Sequence, residues 1–457
     1  MKKKLYNICM PIAMCCILCL ASCDKYLDVQ PKGVQTLNTV ADYNQWLNST
    51  DLEFMPEELN LLGDNSDNTN LSNPASSPGQ RVYSWESQFS TNENDVPLFW
   101  SYHYKNIYYY NTLLMGIDAA VGGSNEQKAS LKAEALVGRA LEYLYLVNEY
   151  GKVYNSSTAS SDLAVPFVLS NDITDPTPNR STVQQIYDHI INDLTAAIPS
   201  LPTDNSRNRC RGSVAAAYSL LARTYLFMGN YSQAAISAQK ALDSSNSKMI
   251  NYTTLNSADG IFAATIRTDA LYSRSSSTIL GSNVPTVAFL STWNTADKRY
   301  SLWHFGFFPL RGFIIYYPFG SLLTATTYRG TPNWGTTVQE MHLIIAEAAA
   351  RANDLTTALD RLDLIRVNRI PGSVKFTSTD QATVLTRILT ERTFEMPFSG
   401  MRWFDMRRYD VENRMPVVTR TYTNNTVAAT LQPHSPRYTF QVPIQVTYFN
   451  PGWIQNP

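Results

Sequence analysis

Cys23 is the residue whose setting most directly specifies a reaction. It closes Leu20-Ala21-Ser22-Cys23, behind Lys2, Lys3 and Lys4 and an apolar run from Ile8 to Leu20. A basic start followed by a short apolar run makes a secretory signal peptide, too short to span a bilayer comfortably. Small residues before the Cys suit a lipoprotein signal peptidase. The thiol then carries a diacylglycerol, and several acyl chains on one residue make attachment effectively permanent. Hydrolytic chemistry is harder to place. Paired carboxylates suit glycoside hydrolysis, and Glu57/Glu58 and Glu391/Glu395 are such pairs. The second pair sits four apart on one helix face, but beside Arg392 in a stretch that reads as structural. Gly-x-Ser-x-Gly, His-Glu-x-x-His and phosphate-loop patterns are absent from the sequence. With the signal peptide removed, lipidated Cys23 and a lone Cys210 are the remaining cysteines, and five scattered His have no zinc spacing. No metal, cofactor or internal disulfide is expected, and the reading is of a chain that is not an enzyme.

Such residues need a scaffold, and residues 213–243 supply the clearest piece of it. Ala217, Leu220, Leu221, Thr224, Tyr225 and Met228 recur at helical spacing, Gly229 interrupts, and Tyr231, Ala234, Ala235, Ala238, Ala241 and Leu242 resume it. The order matches the roughly 34-residue tetratricopeptide pattern of two antiparallel helices, with small Ala222 and Ala234 letting the backbones approach. A second copy lies at 338–369. There Ala346 takes the place of Ala222, Asn353 that of Gly229, Leu355 that of Tyr231 and Ala358 that of Ala234, all at one offset. Units of this kind stack and share a core that one alone cannot form.

Further helices are expected from about Pro97 through Asn111, from Glu126 to Tyr150, after a capping box Ser181-Thr-Val-Gln184, and over Thr356–Asn368 and Gln381–Phe394. Residues 60–94 are rich in Asn, Ser, Pro and Gly and read as a long loop. Residues 244–335 read as an irregular insertion of short strands and loops rich in Phe, Tyr and Trp. The organisation expected is therefore a signal peptide over 1–22, a lipidated tether over 23–35, and a single mainly α domain over 36–457. At 457 residues and 44% hydrophobic, the chain can bury a large core. A net charge of −1, with no basic block beyond the first four residues, excludes a nucleic-acid partner from the reading. Abundant Asn, Ser, Thr and Tyr suit neutral polar ligands.

Several stretches then resemble one family. KAEALVGRALEYLYLVNEYG resembles its helix ending in Tyr-Gly, and LIIAEAAARANDLTTALDRLDLIRVNR its Ala-Glu-Ala helix followed by Ile-Arg. ERTFEMPFSGMRWFDMRRY resembles its Gly-x-Arg-Trp-Phe-Asp, Arg-Arg signature, though Ser399 precedes the Gly where the family usually has an acid. CDKYLDVQPKG after the lipobox and the Asn-Pro ending at Asn456-Pro457 complete the set. The chain is similar to the SusD/RagB family of outer-membrane nutrient-binding lipoproteins. The resemblance implies about four tetratricopeptide-like helix pairs supporting an irregular loop and β-hairpin ligand face. It also implies lipid-anchored outer-membrane localisation with exposure at the cell surface, and a SusC-like TonB-dependent β-barrel transporter as partner. The ligand would be an oligosaccharide, or in some members a peptide; a surface glycoside hydrolase is the competing class.

A sugar binder needs aromatic faces for ring stacking and polar groups for hydroxyls. Trp293, Tyr300 and Trp303, in the insertion and outside any evident helical period, are the leading platforms, followed by Trp85 with Arg81 nearby. Asp64, Asn65 and Arg311 could supply hydrogen bonds. For each aromatic the competing reading is core packing beneath a loop. Trp100 and Trp403 are expected in the core, and Arg402, Asp405, Arg407 and Arg408 in structural ion pairs.

Overall fold

Two hairpins carry the architecture. In the computed structural model, α4 (Val214–Phe227) and α5 (Tyr231–Asp243) form the first, and α6 (Val338–Arg351) and α7 (Leu355–Val367) the second. The model describes residues 37–67, 71–256, 267–276, 284–303, 332–422 and 424–457. The signal peptide, the tether, Cys23 and Arg311 lie outside the described residues. Gly229 (φ 71) and Asn353 (φ 61) both adopt the left-handed conformation that ends the first helix of each hairpin. Asn230 N–H donates to Tyr225 O and Asp354 N–H to Ala349 O, the same closing bond in both copies. Asn230 and Asp354 then cap the following helices through Gln233 and Thr357 N–H. Ala222, Ala234, Ala346 and Ala358 are fully buried between the helices, and α5 packs on α6, so the copies stack across the insertion.

On the N-terminal side of this stack stand α1 (Trp100–Gly116), α2 (Asn125–Tyr150) and α3 (Val183–Ala197). Ser124 and Gln127 box the start of α2. Gly138 permits close packing of α1 on α2, because a Cβ there would collide with the Tyr110 ring. The capping box before α3 is one residue later than expected. Thr182 accepts from Gln185 N–H, and Gln185 returns a bond to Thr182 N–H; Ser181 and Thr182 each have a Gln three residues on, so sequence alone did not separate them. α8 (Gln381–Glu395) and α9 (Met401–Val411) close the frame.

The strands are clips between loops, and among the described residues each sheet has two strands. Ser66–Asp67 pairs with Val284–Pro285, Phe54–Met55 with Ser275–Ser276, and Val418–Thr421 with Val427–Leu431 in a hairpin. The fold is mainly α, with helix pairs beneath a loop-and-hairpin face, as the sequence indicated.

Candidate ligand-binding face

A buried charge ladder holds the helices beneath this face. Arg223 meets Glu340 at 2.6 Å, Arg392 joins Glu340 (3.3 Å) to Asp405 (2.8 Å), and Arg408 joins Asp405 (3.0 Å) to Glu347 (2.8 Å). The alternation of sign continues through Arg351 to Glu412 at 2.7 Å. Burial alone would raise the Glu347 carboxyl, but Arg408, Arg351 and Arg392 bring it down to about 2. The expected ion pairs at Asp405 and Arg408 are present. Arg407 differs. Its guanidinium donates to the Asn148 and Gly151 carbonyls and so caps the C-terminus of α2.

The leading aromatic platforms are corrected by their burial. Trp293 and Trp303 are only 7% and 2% exposed, packed with Tyr252, Phe289, Phe394 and Phe398. The reason is a short helix, Lys298–Trp303, that places Arg299, Leu302 and Trp303 on its inner side at i, i+3 and i+4. Arg299 lies 5.6 Å from the Trp293 ring centre and binds Asp297, Glu391 and Glu395. Glu395 also holds Arg369 at 2.6 Å. The carboxylate pair considered for hydrolysis is thus buried and ligated by guanidinium groups. Tyr300 is partly buried against this cluster, with exposed Asn294, Thr295 and Ser301 close to it in the chain.

The loop residues are likewise largely occupied. Asp64 receives two bonds of 2.6 Å from Arg402, and Arg402 rather than solvent sets its lowered pKa against the cost of burial. Asn65 is buried, its carbonyl accepting from Thr286 N–H. Arg81 spends its guanidinium on the Phe89 and Ala75 carbonyls, folding the loop on itself. Trp85 is 1% exposed, donates to Leu62 O at 3.0 Å, and takes φ 51, a conformation disfavoured for a bulky residue. These four residues build the loop; Asp64, Asn65 and Trp85 are corrected from ligand contacts to supports.

Arg420, which sequence reasoning did not single out, organises that loop. It lies 4.2 Å from the Tyr83 ring centre and 4.6 Å from that of Trp85 and donates to Leu61, Gly63 and Ser66 carbonyls. Asn60 ties the same loop to the C-terminal signature, donating to Phe398 O and accepting from Gly400 N–H, both at 2.9 Å.

Between the supported loop and the 418–431 hairpin opens a cleft of about 450 Å³, lined by Ser72, Asn73, Ser84, Glu86, Tyr422, Thr430 and Arg437. Glu86 receives only a 3.4 Å bond from Ser84, and Arg437 is exposed with no carboxylate partner among the described residues. An acceptor, a donor fork and a tyrosine ring around one concave space can engage vicinal hydroxyls and a sugar face. No short-range signal joins residues 72–86 to 422–437. Only the hairpin's folding brings them together.

A family model described as "SusD family" matches residues 192–457, more than half of the chain. The chain belongs to the SusD family. A second model, described as "Starch-binding associating with outer membrane", matches residues 25–226. Among solved structures, a SusD superfamily protein from Bacteroides thetaiotaomicron aligns with TM-score 0.73 at 19% identity, over 92% of this chain and 100% of its own. A putative sugar binding protein from Bacteroides vulgatus gives 0.71 at 21% identity, covering 93% of this chain and 99% of its own. Surface glycan-binding protein A from Bacteroides uniformis gives 0.70 at 16% identity, covering 92% of this chain and 99% of its own. Identities at this level speak to the fold, and the SusD-family fold is what they share. No curated protein matches the sequence.

Proposed function

We propose that this SusD-family chain is an outer-membrane lipoprotein, anchored through Cys23 and exposed at the cell surface. It captures neutral oligosaccharide on the loop-and-hairpin face and delivers it to a SusC-like TonB-dependent transporter, without cutting it. The observation that carries the reading is the cleft in which Glu86, Tyr422 and Arg437 converge above a loop held rigid by Arg420 and Arg81. The starch-binding description of one matching model, and the sugar- and glycan-binding names of two structural neighbours, support the ligand class. Among the described residues no helix is long and apolar enough to cross a membrane; in this reading the acylated Cys23 supplies the attachment. Tyr300, with its polar neighbours, is retained as a second contact.

Stacking one sugar ring is worth roughly 1.5–2.5 kcal/mol before entropy costs. Two or three such contacts give about micromolar to millimolar affinity, which suits capture followed by release. Calorimetry against a panel of neutral glycans and peptides tests the reading. Glu86→Gln, Tyr422→Ala and Arg437→Ala should each weaken glycan binding about tenfold, near 1.4 kcal/mol, with unchanged thermal melting. Trp303→Ala should instead lower stability. Binding of peptides alone, or release of new reducing ends from polysaccharide, would overturn the proposal.

A further inference from the structure

A second concavity runs along α1 and shares no lining residue with the cleft of the loop face. It measures about 630 Å³ and runs between Tyr104, Ile107 and Tyr108 of α1 and the 167–178 segment. Its walls are built in advance. Asn111, itself buried, donates to the Val168 and Ser170 carbonyls, Tyr143 OH receives Val168 N–H at 2.7 Å, and Tyr104 OH donates to Pro166 O at 2.7 Å. The segment is therefore pinned at its start, and occupation of the cleft demands little rearrangement.

The rim is unusual for a protein surface. Ile173 is 90% exposed, and Leu169 and Tyr108, which also line the opening, are exposed as well. Met115 reaches the segment directly, its sulfur accepting from Asn171 N–H at 3.4 Å. Contiguous exposed apolar groups of this kind mark contact surfaces. The exposed aliphatic tips are covered best by side chains of similar character.

Charge narrows the occupant further. Asp172 and Asp175 line the cleft and no Lys or Arg does. Asp172 turns one oxygen to Thr174, and among the described residues the other has no hydrogen-bond partner. Arg139, the nearby guanidinium behind Phe167, is spent on Asp193 and Asn111. An apolar cavity with an acidic mouth complements a polypeptide bearing a large apolar side chain next to a basic one.

We infer that the cleft between α1 and the 167–178 segment is a docking site for the transporter partner. It seats an apolar side chain of that protein against Tyr104, Tyr108 and Phe167 and a neighbouring Lys or Arg beside Asp172 and Asp175. This rests on the proposed delivery to a β-barrel transporter, and its test is separable from glycan capture.

The full-length lipoprotein is produced in its own cells with p-benzoylphenylalanine replacing Ile173, and irradiated. One outer-membrane β-barrel should be cross-linked, through a peptide that carries an apolar residue close to Lys or Arg. Asp172→Lys combined with Asp175→Lys, and separately Ile173→Asp, should lower the yield of the co-purified pair at least tenfold. Both variants should melt like the parent and bind glycan as before. Adducts only between two copies of this chain, adducts to no barrel, or an unchanged yield from both variants would overturn the inference. So would weakened glycan binding by Ile173→Asp, which would make the cleft a sugar subsite. If the parent binds no glycan yet the cross-link forms, the loop-face reading fails and this one stands.

Discussion

The two hairpins share a backbone and differ in charge. Arg223 and Glu347 stand at the same place ahead of Gly229 and Asn353, both helices end in the same left-handed turn, and both residues are buried. Yet one is a guanidinium and the other a carboxylate. Ala216 in the first copy likewise corresponds to Glu340 in the second. The copies are thus complementary rather than identical. Arg223 of the first hairpin reaches Glu340 of the second, while Glu347 turns to Arg408 and Arg351. Stacking of one hairpin on another needs only a common shape. Fixing which units stack, and in what register, is served by charges that would repel if the copies were the same.

That comparison is most severely tested at Glu340, which serves Arg223 and Arg392 together. Glu340→Ala leaves two buried guanidinium groups short of a partner and should cost about 3–5 kcal/mol, read from chemical denaturation. Ala216→Ser, at the matching position of the other hairpin, should cost far less. A similar loss at both sites would mean that burial rather than charge complementarity separates the copies.

Acid distinguishes them next. Glu347 titrates near 2 in the fold against 4.5 for the ordinary group. Its contribution is therefore complete above the ordinary value and disappears as pH falls from there toward 2. The stake is on the order of 3 kcal/mol. Glu347→Gln should flatten that part of the stability–pH curve. An acid limb unaltered in the Gln variant would place the titration elsewhere.

The smallest effects test the shared turn. A Cβ at Gly229 would meet nothing within 4 Å, so substitution there probes backbone conformation alone. Gly229→Val should cost about 1–2 kcal/mol and Gly229→Asn only a few tenths, because Asn already occupies the equivalent site at 353. A costly Gly229→Asn, measured by thermal melting, would show that the two turns are not interchangeable.

What could be read in advance follows the range of the interaction concerned. Gly229 and Asn353, and the small residues facing each other across the turns, are governed by neighbours a few positions away. Trp293 and Trp303 show where such reading stops. They sit in a Gly- and Pro-punctuated stretch that resembles an open loop. Arg299, Leu302 and Trp303 were spaced for one buried face, but over barely more than one turn, too short a run to stand out as a period. Whether an aromatic ring meets water or Phe394 depends on a helix almost a hundred residues further on. The polar cleft is the opposite case: Glu86, Tyr422 and Arg437 carry no local mark and acquire a joint role only by proximity.

Helical periodicity, the left-handed turn positions, the lipobox and the ordered family signatures were properties of the sequence by itself, because each depends on residue types at short, fixed spacing. The inward turn of the tryptophans, the alternating ladder from Arg223 to Glu412 and the cleft beneath the hairpin were decided only by the tertiary structure. Burial and charge pairing are set by distances in space between segments far apart in the chain, and no one-dimensional spacing contains them.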